Sequence, residues 1–345
     1  MLSKEFLIKR KRCCGNGCLM CPYLPRHKKG SIDLNLNLGY ACQNMQLSHL
    51  GKGKRVTMNR SCIKKTYTEK GLDYISEISL KNCYDLEKLI HWNEENGIKF
   101  FRLSSDLVPW ASEFDMEDLP DIDEMKEVLL RAGRYANQIG QRLTSHPGQF
   151  NVLCSPSEHV VNRCITDLSI HGTIFDWLEQ PRSPQAKINI HLGGAYGDKE
   201  SAMKRWCENY LRLPDSVKTR ITVENDDKAS MYSVVDLYEG VYCKIGIPIV
   251  FDYHHHRFCN GGLTEEDALE VAISTWNNIV PVVHYSESRN IEQEDNKIKP
   301  QAHSDYVYDY IDTYGNRVDI MVEAKAKELA VLKYKEIHND IRTNS

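Results

Sequence analysis

The sequence predicts a (β/α)8 barrel, which is a closed ring of eight parallel strands surrounded by helices. Its 345 residues exceed the roughly 100–200 residues of an average domain, and they fit one α/β barrel of about 250 residues with appendages. Short apolar runs that end in polar residues recur eight times, and segments with helical periodicity lie between them. Eight strand–helix units imply parallel strands joined by crossovers, which close most economically into a barrel.

Each of the eight apolar runs is predicted to form one strand of the barrel. They extend over most of the chain, and we expect the barrel domain to occupy residues 34–341. In order, the runs are LNLNLGYACQN (34–44), IKFFRLSSD (98–106), QRLTSHPGQ (141–149), KINIHLGG (187–194), RITVENDD (220–227), IPIVFDYHHH (247–256), VPVVHYSES (280–288) and VDIMVEAK (318–325).

Three of the intervening segments show clear helical periodicity. In the third of them, Thr264 is a typical N-cap residue, and the three acidic residues that follow it suit the positive end of the helix dipole. The segments are NCYDLEKLIHWNEENG (82–97), IDEMKEVLLRAGRYANQIG (122–140) and TEEDALEVAISTW (264–276).

An open, doubly wound sheet is the structural alternative to the barrel. Such a sheet would normally carry a phosphate-binding loop with GxGxxG spacing in its first strand–helix turn. The corresponding turn reads GYACQN (39–44) and lacks that spacing. The sequence therefore favours the barrel.

The composition is that of a folded intracellular protein. A hydrophobic fraction of 41%, with 5 Trp, 18 Tyr and 8 Phe, supplies a large core, and the formal charge of −4 argues against broad, non-specific binding to polyanions. No apolar signal segment starts the chain and no run of about 18 apolar residues suggests a membrane span. We therefore expect the 12 cysteines to be in a reducing compartment, the cytoplasm or nucleus, and the protein not to be secreted.

Metal-ligand side chains stand at the carboxyl ends of six of the eight predicted strands. In a barrel these ends meet on one face, where barrel enzymes carry their chemistry. A single histidine at a strand end is more often structural, but so many together favour a functional site. The set comprises His146, His191, Glu224, Asp252, His255, His284 and Glu323, with His303 in the loop after the seventh strand.

Five imidazoles and three carboxylates indicate a site for more than one metal ion. Mixed nitrogen and oxygen ligands suit Mn, Zn or Fe, whereas the absence of cysteine from the set argues against a structural zinc cage. Two or three divalent ions are expected. Such clusters lower the pKa of a bound water and clamp both oxygens of a phosphodiester displacement.

Eight motifs in the same region make the chain from about residue 34 to 330 resemble the UV damage endonucleases, which are similar in turn to the barrel enzyme endonuclease IV. Together, and in this order, they are specific. The motifs are LGYACQN (38–44), FRLSSDLVPWAS (101–112), SHPGQF (145–150), HLGGAYGDK (191–199), VENDD (223–227), DYHH (252–255), HSDY (303–306) and VEAKAKE (322–328).

The resemblance implies incision of duplex DNA immediately 5′ to UV photoproducts and related lesions, with damaged double-stranded DNA as the partner. It assigns metal ligation to the same eight residues, with Glu224 also catalytic, and it places Tyr40 in the lining of the catalytic pocket. Gln149 and Phe150 are then the pair that probes the duplex at the lesion, since an amide and an aromatic ring can fill the gap left by extruded bases. A plain core position is the alternative for Phe150.

One position departs from the family pattern. The family commonly has a lysine two residues before the histidine of strand seven, modified so that its carboxylate bridges metals, and here that position is Val282. An apolar side chain cannot bridge cations. This departure leaves open a lesion-binding protein with impaired catalysis. A metal-dependent sugar isomerase or epimerase of the same barrel class also stays open, because such enzymes gather His, Glu and Asp at strand ends as well.

The N-terminal segment, residues 1–33, carries a separate cysteine-rich motif, RCCGNGCLMCPY (12–23), and then a basic linker. Thiolates as close as Cys13, Cys14, Cys18 and Cys21 can share one soft metal, so zinc or an iron–sulfur cluster is expected, with unliganded reduced cysteines as the alternative.

Overall fold

The eight parallel strands form a closed barrel, as predicted. The computed structural model describes residues 37–339 except residue 52. The strands are β1 (Asn37–Ala41), β2 (Phe100–Arg102), β3 (Arg142–Thr144), β4 (Ile188–His191), β5 (Ile221–Glu224), β6 (Ile249–Asp252), β7 (Val282–Tyr285) and β8 (Asp319–Val322). Hydrogen-bonded neighbours follow the order β3-β2-β1-β8-β7-β6-β5-β4. A parallel bridge between Ser145 and Ile188 joins β3 to β4 and closes the ring, with the Ser145 amide donating to the Lys187 carbonyl at 2.9 Å. This closure excludes the open sheet.

Each strand lies inside its predicted run and is shorter than that run. The polar residues at the end of each run leave the hydrogen-bonded ladder and turn into loops, which is why the regular strands end early.

The three predicted helices are confirmed, and Thr264 caps the third by accepting a hydrogen bond from the Asp267 amide at 3.1 Å. The first is much longer than predicted, because a polar segment extends it back to Lys64 across a kink at Gly71, where φ is 68°. The α-helices are α1 (Met45–Ser48), α2 (Lys64–Glu95), α3 (Ile122–Gln138), α4 (Glu158–Trp177), α5 (Lys199–Tyr210), α6 (Asp215–Lys218), α7 (Val234–Leu237), α8 (Cys243–Ile245), α9 (Tyr253–His256), α10 (Glu265–Ser274), α11 (Arg289–Glu292) and α12 (Glu328–Asn339).

The barrel interior is filled in layers beneath the carboxyl ends of the strands. At the amino-terminal end, the Arg142 guanidinium donates to Asp319 and to three backbone carbonyls. Above it lies a small apolar cluster that includes Phe100, Val250 and Val282. Since side chains two residues apart along a strand share one face, the residues that follow these three by two positions also point into the barrel. Those residues carry the candidate site.

The predicted N-terminal segment, residues 1–33, and its four cysteines lie outside the described residues. The boundaries proposed for the barrel domain therefore stay predictions. Among the described residues, no helix combines the length and apolar character that a membrane crossing requires.

Candidate metal centre

The carboxyl ends of the strands bring seven of the eight predicted ligands together. Within each of three overlapping groups, ligand atoms lie within 4.8 Å of one another. Two residues, Glu224 and Asp252, each belong to two groups, so the three form one continuous cluster. The groups are His146, His191 and Glu224; Glu224, Asp252 and His255; and Asp252, His284 and Glu323.

Glu224, at the end of β5, is the hub of the cluster. Its Oε2 is 3.0 Å from Nε2 of His146, and its Oε1 is 3.0 Å from Nδ1 of His284. The amide of Asn189, one strand away, donates to the same carboxylate. Burial alone raises the pKa of Glu224, but the surrounding imidazoles, His284 and His191 first among them, hold it well below its usual range. The hub is therefore a buried carboxylate anion.

Asp252 explains why β6 ends in a run of histidines. Its side chain accepts a hydrogen bond from the His255 amide at 2.8 Å, which caps the single turn of α9 and turns His255 back toward the barrel axis. The His255 ring is held by the Asn225 carbonyl, 2.9 Å from Nδ1. Burial raises the pKa of Asp252 to about 6. The neighbouring His254 and His256 are buried but belong to none of the three groups.

Glu323 closes the cluster on the β8 side. Its Oε1 is 3.2 Å from Nδ1 of His284, and its own backbone carbonyl is 2.8 Å from Nδ1 of His303. Arg102, at the end of β2, forms an ion pair with the Glu323 carboxylate. Burial alone would raise the pKa of Glu323, but Arg102 holds it well below its usual range. His303, the eighth predicted ligand, lies beside the cluster and belongs to none of the three groups.

Lys187, just before β4, places a buried amine inside the barrel that sequence reasoning missed. It is fully buried, and its Nζ is 3.2 Å from Nε2 of His284. Burial lowers its pKa to about 7. Val282, which stands where the family commonly has a lysine, is also fully buried beneath His284. A lysine nitrogen therefore reaches His284 from β4 rather than from β7.

The burial of Lys187 predicts a pH dependence for the stability of the metal-free protein. A lysine with a folded pKa of about 7 takes up fewer protons than its unfolded counterpart between about pH 7 and 10.5, so the free energy of unfolding should rise with pH in that window, by up to about 1.4 kcal/mol per pH unit. Urea unfolding in chelator at about pH 7.5 and 9 measures the rise. The variant Lys187→Met should lose it, and Lys204→Met, at an exposed position, should keep it. Equal pH slopes in wild type and Lys187→Met would contradict the assignment.

The loop after β3 presents Gln149 and Phe150 to solvent. Phe150 is 83% exposed, which rules out the core position considered above. The rest of the loop is held firmly, because Arg205 donates to the Cys154 carbonyl at 2.8 Å and Asn209 to the Leu153 carbonyl at 2.8 Å. An exposed aromatic ring on an anchored loop is available for contact with a partner. The probing role itself stays a prediction.

Tyr40 does not line the candidate site, and the expectation that it would is wrong for this structure. Its side chain is fully buried on the helix side of β1, where its hydroxyl donates to Asn93 of α2 at 2.8 Å. Burial raises its pKa well above the ordinary value. The physical reason is strand alternation: Ala41 belongs to the apolar cluster inside the barrel, so its neighbour Tyr40 points outward.

The described residues fit a group of divalent cations. Two buried polar atoms at the site, Oδ2 of Asp252 and Nδ1 of His191, have no hydrogen-bond partner of good geometry among the described residues. Burial alone lowers the pKa of His191, but the carboxylates of Glu224 and Asp226 raise it to about 10, so the position of this ring favours positive charge. Imidazole and carboxylate donors suit Mn, Zn or Fe. The identity and number of the ions stay predictions.

Comparison with known proteins identifies the family. The model of the family UV-endonuclease UvdE matches residues 36–343. The chain belongs to this family. A UV-damage endonuclease of Schizosaccharomyces pombe is 37% identical over 305 residues, which cover 86% of this chain and 49% of that protein. A putative UV-damage endonuclease of Acanthamoeba polyphaga mimivirus is 32% identical over 320 residues, 90% of this chain and 93% of the viral protein. The UvdE chain described here thus spans about half the length of the S. pombe relative.

One solved structure agrees with the family assignment, and two more distant ones share the barrel fold. SacUVDE superposes with a TM-score of 0.76 at 28% identity, and the match covers 89% of this chain and 99% of SacUVDE. Endonuclease IV from Thermus thermophilus gives a TM-score of 0.50 at 12% identity, over 74% of this chain and 94% of that enzyme. A D-tagatose 3-epimerase-like protein gives a TM-score of 0.50 at 14% identity, over 73% of this chain and 92% of that protein. The last two show the fold alone, so the barrel by itself does not separate a nuclease from an epimerase, whereas UvdE membership favours the nuclease.

Proposed function

We propose that this chain is a metal-dependent endonuclease that incises damaged duplex DNA on the 5′ side of the lesion. The observation that carries the proposal is the set of three overlapping donor groups that share Glu224 and Asp252 at the carboxyl face of the barrel. A row of adjacent sites suits a phosphodiester, because separate cations can face its attacking and leaving oxygens. Membership of the UvdE family supports the same reaction class. We also propose that the protein acts inside the cell, in the compartment that holds the DNA.

The roles of the side chains follow from their positions. Two or three divalent ions, Mn, Zn or Fe, would supply a water of lowered pKa and positive charge opposite the phosphate. Glu224 and Asp252 each belong to two of the three donor groups, and the burial of both side chains keeps their carboxylates fixed. Arg102 fixes Glu323 through their ion pair and adds positive charge at the β2 side of the site, where it favours a phosphate oxygen.

We assign lesion recognition to exposed residues around the mouth of the barrel, which is the face formed by the carboxyl ends of the strands. Phe150 follows β3 and Ile291 follows β7, which lies opposite β3 in the ring, and the two side chains are 83% and 72% exposed. Tyr196, after β4, is also half-exposed. Apolar wedges of this kind can enter base steps, and a damaged step costs less to unstack than an intact one. Gln149 beside Phe150 can pair with base edges in the opened duplex.

A lesion-binding protein with impaired catalysis is the second candidate. The specific observation that favours it is the contact of Lys187 with His284, in a chain that has Val282 at the common lysine position. In its protonated form, the Lys187 amine would compete with a metal ion for the negative charge of Glu224. In that case the mouth would still recognise damage.

A labelled duplex with a single UV photoproduct separates the candidates. We expect incision with Mn²⁺ on the lesion-bearing duplex, no incision in chelator, and little incision of the undamaged duplex. The product should end immediately 5′ to the lesion and carry a 3′-hydroxyl that a polymerase extends. Retention of the damaged duplex without incision would favour the binding protein instead. Neither retention nor incision would contradict both and leave the sugar isomerase or epimerase.

A further inference from the structure

Asp226 lies two residues after Glu224 and touches the same histidine from the other side. Its Oδ1 is 3.2 Å from Nδ1 of His191, while Nε2 of that ring faces Glu224 Oε2 at 3.9 Å. Asp226 is buried and belongs to none of the three donor groups. The His191 ring therefore has one nitrogen toward the candidate metal group and the other toward a carboxylate outside it.

Two other imidazoles of the centre are held differently. Their Nδ1 atoms lie near backbone carbonyls: Pro147 for His146 at 3.2 Å, and Asn225 for His255 at 2.9 Å. Nδ1 of His191 is buried, and among the described residues nothing satisfies it with good hydrogen-bond geometry. Asp226 approaches it obliquely, at a distance that a small rotation of the ring would convert into a hydrogen bond.

We propose that Asp226 is a positioning residue that keeps the proton on Nδ1 of His191 and leaves Nε2 free to bind metal. The inference rests on the metal centre of the proposed function. A carboxylate only accepts hydrogen bonds, so Nδ1 must carry hydrogen to pair with it. The remaining nitrogen, Nε2, then offers its lone pair on the side of Glu224. A metal-bound histidine commonly donates its other N–H to such a carboxylate, which fixes the ring and its tautomer.

The loop after β5 holds Asp226 in place for this role. The Asp226 amide donates to the Tyr232 carbonyl at 2.9 Å, and the Tyr232 amide donates to Asp226 Oδ2 at 3.4 Å. One carboxylate oxygen is thus used by the returning loop and the other faces His191. An asparagine cannot serve both contacts: if its oxygen stays with the Tyr232 amide, its NH₂ group meets the N–H of His191, donor against donor.

The comparison of Asp226→Asn with Asp227→Asn tests the inference. Both variants remove one negative charge from adjacent positions, and Asp227 is half-buried in the same loop. Competition titrations with Zn²⁺ and Mn²⁺ on the full chain should show about 10–100-fold weaker metal binding for Asp226→Asn. Asp227→Asn should bind as the wild type does. Both titrations are run well below the unfolding temperature of each variant in chelator, so that a difference in metal binding does not come from a difference in folding.

A second measurement needs no variant at position 226. Nitrogen-15 NMR of the Zn²⁺-loaded wild type, labelled at histidine and with His191 assigned by its loss in His191→Gln, should show a protonated Nδ1 and a metal-bound Nε2. Metal on Nδ1, or equal affinities for the two asparagine variants, overturns the inference. If Asp226→Asn binds metal more weakly but the wild type incises no DNA, the result supports the inference and contradicts the proposed nuclease. A wild type that binds neither ion overturns both.

Discussion

Replacing Glu224 with glutamine should reduce incision by about 10²–10³-fold or more while the protein stays folded. The substitution keeps the shape of the side chain, but it removes the negative charge shared by two of the three donor groups. The new NH₂ group would also face an imidazole nitrogen, since Oε1 and Oε2 are each 3.0 Å from a histidine. The loss corresponds to about 3–4 kcal/mol of transition-state stabilisation. Single-turnover incision of the damaged duplex measures it.

The matched control for that variant is Glu328→Gln. Glu328 is fully buried, and its carboxylate accepts hydrogen bonds from the Met45 and Gln46 amides rather than from a ligand histidine. This variant should lose stability but retain incision once folded. His191→Ala should behave as Glu224→Gln does. Wild-type cleavage by either site variant would contradict the ligand assignment.

The double variant Gln149→Ala with Phe150→Ala should lose discrimination between damaged and intact duplex. If stacking is what is lost, the preference should fall by about 1–3 kcal/mol, which is about 5–150-fold. The double variant should keep the metal content of the wild type, because both replaced side chains are exposed on the loop after β3. Competition binding with damaged and undamaged duplexes measures the preference.

Leu211→Ala is the control for this double variant. Leu211 is 67% exposed, like Phe150, but it directly follows α5 and lies outside the loop that carries Gln149 and Phe150. Its replacement should leave the preference for damaged DNA unchanged. If the double variant also keeps the full preference, recognition lies elsewhere on the mouth, and Ile291 and Tyr196 become the residues to replace.

The clustering of the candidate ligands could be predicted from the sequence because of the topology of parallel barrels. When every strand is parallel and the ring closes, the carboxyl ends must meet, so a position at the end of an apolar run is also a position in space. The structure brings His146, His191, Glu224 and Asp252 together as this topology predicts, and their role as metal ligands stays a prediction. The strand lengths were overestimated, because the functional polar residues continue each run beyond the hydrogen-bonded ladder.

Contacts across the barrel interior could not be predicted in the same way. The approach of Lys187 to His284 joins β4 to β7, and the ion pair of Arg102 joins β2 to β8. No local pattern encodes such pairs. Alternation along β4 does give a weak signal, since Lys187 shares its face with Asn189 and His191. The position of Tyr40 follows from strand alternation, which the resemblance to the family did not take into account. Its neighbour Ala41 faces the barrel interior, so Tyr40 faces the helices.

The central claim, that these strand ends form a metal centre, is tested most directly by the metal content of the purified full chain. The protein is stripped with chelator, reloaded with Mn²⁺, passed through a desalting column and analysed by mass spectrometry for manganese per chain. The wild type should retain two or three ions. Glu224→Gln should retain fewer, and Glu328→Gln the same number as the wild type. A wild type that retains less than one ion per chain, or a Glu224→Gln variant that retains as many as the wild type, would contradict the account.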